Sequence, residues 1–494
     1  MTGISLGQFP NTISEKRILY RRPSNAPIIK ESCPTLMLLT TDGVLIGIAT
    51  FFWLSYVPIA ILSLHRIIHN RRVFVEKDLK RIHNDPSIIF QITTRSATRT
   101  PVVKRGIESI KHACSKVNYR AFHVCVVTDD ADDVSLLRGE CEVIVVEKAF
   151  RTDAVKKGRA LQYSVEHRRR VAMNTAKYWI FHMDDESYVV PQTVLALLKF
   201  IREGKGVASE GPIFYPLKFE SAGRVAALAE SIRPFACYDC VSQMTKPPPL
   251  HMHGSNLLVR SDIEDEIEWK FGPTLAEDQM FGYKVYERFG PGSMGWHGGM
   301  LLEQPPLNLK DHFFQRRRWV LGTMQNMDKF PAWHRFKLMF KSVTYFMGFA
   351  SAVASVAISV HNYAPYLLSL PQGNYQIGSA FLSFPTKMIG SVSIDSLIQS
   401  ALHLGPVEIV TGILLLFTSL VWLSSYQVGL FLNLRHSEVR WAKRVVFHLQ
   451  TLVLSPLIGL VETFPAFYAM IEFQLKKQKS ADRMPVYDFY VIRK

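Results

Sequence analysis

Residues 177–186 read KYWIFHMDDE, an apolar run of strand length that stops abruptly at Asp184, Asp185 and Glu186. A short run of aromatic and aliphatic residues bounded by polar ones predicts a buried strand. Carboxylates placed where such a strand stops predict a ligand site at its carboxyl end. Working outward, SIIFQITT from Ser87, AFHVCVVTDD ending in Asp129 and Asp130, and CEVIVVEK from Cys141 read as further strands. Between them, VKRGIESIKHACSKV (103–117) and a segment at 157–169 carry apolar residues at helical spacing. Alternating strands and helices, with acids at strand ends, predict an α/β fold. Its sheet is mixed and mainly parallel and binds ligand along its carboxyl edge. The chain has no G-x-G-x-x-G phosphate loop, which disfavours a dinucleotide-binding domain.

Two more clusters follow in order: Glu277–Asp278 in LAEDQMFGYKV, and Gln315-Arg316-Arg317-Arg318-Trp319 just before the chain turns apolar. Each alone has a plain reading as an acidic turn, a helix cap or a basic membrane-surface anchor. Their order points to transfer of a sugar from a nucleotide diphosphate to a hydroxyl. Asp184 and Glu186, two residues apart on an extended chain, can face one divalent cation that neutralises a departing diphosphate. Asp185 then turns away or holds a neighbour. Asp278 is the candidate base for the attacking hydroxyl. Arg318 offers a planar donor fork for phosphate oxygens, and Trp319 a flat face for a sugar ring. Lys157 and Arg159 in KKGRALQY are further phosphate candidates, and Asp129 ends a strand where it could touch the nucleotide base.

The 494 residues suffice for two or three domains. The reading divides them into a mobile tail (1–35), a span with a basic juxtamembrane stretch (36–84) and a catalytic domain (85–305). Amphipathic interface helices (306–341), a transmembrane region (342–475) and a tail (476–494) follow. Long uncharged runs at 43–64, 343–360, 406–432 and 445–471, with a further candidate near 376–400, read as membrane helices. The first is too long and too far from the N-terminus for a cleaved signal peptide. The last could instead turn back at Ser455-Pro456. The helix expected at 306–320 would lie on the bilayer, with Phe313, Phe314 and Trp319 toward lipid or a substrate channel and Arg316 and Arg317 toward headgroups. The formal charge of +16 reflects basic residues crowded at the ends of these runs. No groove-reading module or basic-aromatic stripe appears, so nucleic acid is not an expected partner. Cys237-x-x-Cys240 has no second pair to complete a zinc site, so the six cysteines read as reduced thiols of a cytosolic domain.

These motifs carry a resemblance. VVTD ending at Asp129, KGRALQY from Lys157, WIFHMDDES from Trp179, the Gly254–Ser255 step, AEDQMF from Ala276 and FFQRRRW from Phe313 resemble glycosyltransferase family 2 enzymes with a GT-A fold. More closely, they are similar to the egghead family of animal β-1,4-mannosyltransferases. The resemblance implies a nucleotide-sugar donor, with GDP-mannose favoured, Mg²⁺ or Mn²⁺, inversion at the anomeric carbon and a catalytic domain facing the cytosol. That domain would belong to a multi-pass protein of the endoplasmic reticulum, Golgi or plasma membrane. The acceptor would be a lipid-linked sugar or glycan. The resemblance places the base role on Asp278, metal binding on Asp184 and Glu186, and nucleotide or phosphate contact on Asp129, Lys157 and Arg318; Glu277 is expected beside the base, and Thr94, Arg159, Asp184, Asp185 and Gln315 among the donor contacts. The acceptor would meet Trp319, His253, Gly254 and Ser255. The chain departs from the usual pattern at Glu186, where Asp is commonest, and in the loop TKPPPLHMHGSN (245–256). Q-x-x-R-W beside membrane runs is also typical of processive synthases like those of hyaluronan, cellulose and chitin, which use UDP-sugars and extrude a polymer. Single addition is the first choice here. A non-catalytic membrane scaffold is the alternative of another class, and the intact acids argue against it.

Overall fold

A computed structural model of the chain describes residues 86–340 apart from 205, 223, 236–248 and 251, together with 406–479, scattered positions within 54–68 and 342–353, and Tyr487. The expected tail at 1–35, most of the expected spans at 43–64 and 343–360, the candidate near 376–400, and Cys33, Cys237 and Cys240 lie outside the described residues.

The strands are β1 (Ser87–Thr93), β2 (Phe122–Thr128), β3 (Glu142–Val145), β4 (Tyr178–Asp184), β5 (Tyr188–Val189), β6 (Ala208–Glu210), β7 (Ile213–Phe214), β8 (Leu257–Arg260), β9 (Met294–Trp296) and β10 (Leu301–Leu302). The helices that matter below are α1 (Thr100–Lys116), α2 (Lys157–Arg170), α3 (Pro191–Glu203), α4 (Arg224–Ala229), α5 (Ser261–Ile267), α6 (Glu277–Phe289), α7 (Leu309–Asn326), α8 (Pro406–Arg435), α9 (Trp441–Val453) and α10 (Ser455–Lys479). A seven-stranded sheet runs in the order β3-β2-β1-β4-β8-β6-β9, and β5-β10-β7 form a small second sheet. In the large sheet only β8 runs antiparallel to its neighbours. The mixed, mainly parallel sheet expected from the strand–helix alternation is therefore present.

Both faces of the large sheet are covered, which is why its central strands read as continuous apolar runs. Ile88, Phe90 and Ile92 of β1 point to one face, against Val103 and Ile107 of α1 and Val194 and Leu197 of α3. Ile89 points to the other, against Leu161 and Val165 of α2 and Phe281 of α6. The strand order also fixes where a ligand can enter. From β1 the chain winds outward to β2 and β3, then returns to place β4 on the other side of β1. The connections leaving the carboxyl ends of β1 and β4 thus diverge and open a crevice between them. Thr93 and Asp184 are register partners at that edge.

Two expectations change. The apolar run at 445–471 is not one helix but α9 and α10, broken at Leu454. Pro456 explains the break: it has no N–H to give the Leu452 carbonyl one turn back and its ring crowds that carbonyl, whereas in the first turn of a new helix the missing N–H costs nothing; Ser455 Oγ donates to the Leu452 carbonyl instead, at 2.9 Å. Helix α7, expected to lie on a bilayer with its arginines toward headgroups, is packed inside the protein, and Arg316 and Arg317 are buried. Carboxylates from neighbouring helices, detailed below, take the place of headgroups. Among the described residues, one helix, Ser455–Lys477, is long and apolar enough to cross a membrane.

Candidate active site

The crevice gathers residues from four separate stretches. Asp184, the last residue of β4, accepts a hydrogen bond from Lys157 Nζ, and the same ammonium donates to the Gly254 carbonyl at 3.0 Å. A side chain at position 254 would push on this group, because a Cβ there would lie 2.9 Å from Asp278 Oδ2 and 3.2 Å from Lys157 Nζ. Gly254 therefore lets Lys157 and the first turn of α6 close on one point. Burial opposes the charge on Lys157, but Asp184, Glu277 and Asp278 outweigh it and hold its pKa above the ordinary range.

Asp278 stands in the first turn of α6, next to Glu277. Its Oδ1 accepts from the Gln279 N–H at 2.8 Å. Desolvation, then repulsion from Glu277, pushes its pKa up to about 7, against the pull of Lys157, the Gln279 N–H and Arg318. A carboxylate that titrates near neutrality and sits at a crevice has the properties of a general base.

Asp185 and Glu186 turn to a different cation. Arg99, at the start of α1, donates to Asp185 Oδ2 at 3.0 Å and Oδ1 at 2.8 Å, and reaches Glu186 at 3.5 Å. Thr94 adds a bond to Asp185 at 3.2 Å. Burial would raise the pKa of Asp185, but hydrogen bonds from Glu186 and Arg99 and the charge of Arg99 bring it below its ordinary value. So Asp184 and Glu186, expected to share one metal, are each paired with a separate cation. Among the described residues no group of three or more His, Cys, Asp or Glu side chains converges in metal-binding fashion. The site still fits a hard divalent cation. Such ions take one or two carboxylates and complete their shell with phosphate oxygens and water. Asp184, with 35% of its side chain exposed, is the carboxylate open to that role.

The other expected residues divide. Asp129 and Arg159 pair with each other at 3.0 Å beyond the end of β2, both partly exposed. His253 and Ser255 are turned inward rather than toward an acceptor. The His253 N–H donates to buried Glu210 at 2.8 Å, and Ser255 Oγ donates to Glu303 at 2.7 Å, which also takes Ser187 at 3.2 Å. Gln315 is buried and accepts from Arg316 at 3.0 Å. The Trp319 ring carries the guanidinium groups of Arg233 and Arg316 at 4.2 and 4.4 Å, so cations lie over the ring expected to meet a sugar.

Helix α7 connects this chemistry to α10. Arg316 donates to Glu462 at 2.7 Å and pairs with Glu230, just after α4, at 3.0 Å. His312, one turn earlier, pairs with the same two carboxylates at 3.2 Å each. Arg317 holds Glu472 through two bonds of 2.6 Å. At its other end α7 fixes the base: Asn326 donates to the Ala276 carbonyl at 2.8 Å, and Gln325 accepts from the Leu275 N–H at 3.0 Å. Gly322 lies against the same loop, where a Cβ would come 2.6 Å from Ala276 N and 2.7 Å from Leu275 C. Gly322→Ala is therefore expected to cost about 1–3 kcal/mol, because backbone cannot swing aside. It should lower turnover as well by displacing the residues that lead into Asp278. Unchanged thermal midpoint and turnover would show that the loop gives way.

Residues 179–425 match the family described as "Glycosyl transferase family group 2", which is half of the 494 residues. The chain belongs to this family. Among curated relatives, the β-1,4-mannosyltransferase egh of Drosophila melanogaster is 26% identical over 245 residues, covering 48% of this chain and 52% of the relative. The β-1,4-mannosyltransferase bre-3 of Caenorhabditis elegans is 25% identical over 246 residues, again 48% of this chain and 52% of the relative. The chain thus spans about half the length of the curated relatives it matches. The egghead resemblance read from the motifs is borne out. Among solved structures, the mannosyltransferase PcManGT from Pyrobaculum calidifontis, in complex with GDP-Man and Mn²⁺, aligns at 13% identity with a TM-score of 0.39. That alignment covers 76% of this chain and 98% of the other.

Sequence reasoning missed several residues of this family 2 site. Arg99 follows β1 by only six residues, and a base or acid just past a strand end was the signal already used for Asp129 and Asp184. Glu230, His312 and Glu462 gave no such signal, because their meeting depends on packing between segments far apart in the chain.

Proposed function

We propose that this family 2 protein is an inverting glycosyltransferase that moves a hexose from a nucleotide-diphosphate sugar to a lipid-linked sugar acceptor in β linkage. GDP-mannose is the favoured donor, by likeness to the β-1,4-mannosyltransferases, and the catalytic domain faces the cytosol from a membrane surface. The observation that carries the reading is the carboxylate of Asp278. It titrates near neutrality beside Glu277 and Lys157, at the crevice where β4 delivers Asp184. Asp278 takes the proton of the acceptor hydroxyl as its oxygen forms a bond to the anomeric carbon. The bond from that carbon to the diphosphate oxygen breaks on the opposite face, and the nucleoside diphosphate leaves with the electron pair. Lys157 and Arg318 offset charge gathering on the diphosphate, in the water-poor surroundings where fixed charges act strongly. A bound Mg²⁺ or Mn²⁺ held by Asp184 would supply further neutralisation of the diphosphate. Asp129 and Arg159, paired with each other at 3.0 Å, are the contacts this reading gives to the nucleoside.

Incubation of purified protein with a panel of labelled nucleotide sugars and a lipid-linked acceptor, followed by product sizing and anomer analysis, tests the reading. One hexose per acceptor in β configuration is expected. A high-molecular-weight glycan made without acceptor would establish the processive alternative, and absence of nucleotide release from every donor would establish a non-catalytic role. Chelation gives a separate test. Activity is expected to fall more than tenfold in excess EDTA and to return with Mg²⁺ or Mn²⁺. Full activity in EDTA would assign neutralisation of the diphosphate to Lys157 and Arg318 alone.

A further inference from the structure

Helix α9 has its amphipathicity reversed. A helix on the surface of a soluble protein turns apolar residues inward and polar ones out. Here the exposed apolar positions are Trp441 (79%), Val445 (50%), Val446 (47%), Leu449 (57%), Leu452 (45%) and Val453 (56%), with Ala442 beside them and Lys443 the exposed charge on the helix. The face toward the protein carries the polar groups. Gln450 accepts from Arg224 at 3.0 Å, His448 pairs with Gln427 of α8, and Thr451 is fully buried. Phe447 is the apolar exception on that face, and the Arg224 guanidinium lies 4.5 Å over its ring.

We propose that α9 is inserted in the leaflet that faces the catalytic domain, as a membrane-embedded segment that does not cross the bilayer. The inference deepens the membrane-surface reading above and rests on it. Length excludes a crossing: 13 residues rise about 20 Å, against a hydrocarbon core of about 30 Å. Two observations name lipid as the occupant. First, exposed apolar positions carry on along the chain into α10. Leu454 alone separates α9 from α10, whose exposed side chains Leu457, Phe464 and Ile471 are apolar too, and α10 holds the one membrane-length apolar helix among the described residues. Second, the segment 435–444, which leads into α9, carries Arg435, Arg440, Lys443 and Arg444 against the single acid Glu438. Lys443 is paired with Glu220 at 2.8 Å, and the three arginines still outnumber Glu438, a balance that suits anionic headgroups. Trp441, the most exposed of these aromatics, sits where this basic turn meets the apolar face, the level at which tryptophan anchors helices in membranes.

The test is lipid-phase photolabelling of the full chain in phosphatidylcholine vesicles containing phosphatidylserine and a lipid with a photoreactive acyl chain, with adducts mapped by mass spectrometry. Adducts on Val445, Leu449 and Leu452, together with Leu457 and Phe464 of α10, and none on Phe447 or Thr451, are expected. Adducts on α10 but not on α9 would overturn the inference and leave membrane attachment standing. Adducts on neither helix would overturn membrane attachment itself. Crosslinks between the α9 segments of two copies, in place of lipid adducts, would overturn the inference in favour of a dimer contact. In Leu449→Glu/Leu452→Glu the exposed site keeps the fold intact, so the detergent melting profile should be unchanged while α9 adducts fall more than tenfold. Retention of those adducts would also overturn the inference.

Discussion

Asp278→Asn is expected to reduce glycosyl transfer by about 10²- to 10⁴-fold, because the amide keeps the shape of the carboxylate and cannot take a proton. The pH behaviour separates this from a folding defect. With a pKa of about 7, Asp278 is active only when ionised, so the parent rate should rise about tenfold per pH unit up to 7 and level off above it. The residual rate of the variant should lack that limb. Stability should move the other way. A carboxyl whose folded pKa is raised keeps its proton while the unfolded chain has already released it. Folded stability therefore declines as pH climbs from about 4 to about 7 and stays lower beyond. Asparagine removes that decline, so at pH 8 the variant should melt above the parent and at pH 4 equal it. Near-parental turnover at pH 8 would remove Asp278 from the base role.

Arg316→Met is expected to destabilise the protein by about 3–5 kcal/mol, since removing one member of a buried ion pair strands the other. The stranded group is Glu230, which is fully buried. Burial alone would raise its pKa, but Arg316 and His312 outweigh that and hold it well below the usual carboxylate range. His312 is itself shifted upward: burial and Arg316 disfavour its charge, and its bonds to Glu230 and Glu462 prevail. Without the guanidinium, Glu230 would be driven to its neutral form, which is available at low pH. The loss should therefore be larger at pH 8 than at pH 5, the reverse of a simple packing defect. Replacing both partners, as Arg316→Met/Glu230→Leu, should recover part of the loss, because no charge is then left buried alone. Chemical denaturation in detergent at the two pH values measures this. A loss below about 1 kcal/mol at pH 8 would mean that water reaches the cluster.

The catalytic core was legible because its signals are local. A buried strand announces itself as a run such as YWIFHM, and an acid at its end marks the sheet's ligand edge. Helix α2 and β1 to β4 followed from the same periodicities. The roles of the neighbours were less legible. Asp184 and Glu186 have the spacing to share a metal, but the choice between a metal, Lys157 and Arg99 depends on cations from other elements. Ser255 and His253 read as acceptor contacts because they flank Gly254, yet Glu303 and Glu210, distant in sequence, draw them inward. Helix α7 was misplaced for a related reason. Three arginines in a row look like a headgroup-facing surface, and only the packed fold supplies Glu230, Glu462 and Glu472 to neutralise two of them. The break at Leu454 was within reach, since Ser455-Pro456 was visible as a possible reversal point.

The approach of Gly322 to the backbone of Leu275 and Ala276 has a practical corollary for anyone wishing to handle the sugar-transferring head alone. A gene truncated after the small second sheet would still encode Asp184, Glu277 and Asp278, yet the turn leading to Asp278 would lose the helix that braces it. That helix is fastened in turn, through Arg316 and Arg317, to Glu462 and Glu472 of α10. The catalytic part and α10 are therefore not interchangeable modules. A chimera that joins this catalytic part to foreign C-terminal helices should be inert unless residues 309–326 and α10 travel with it.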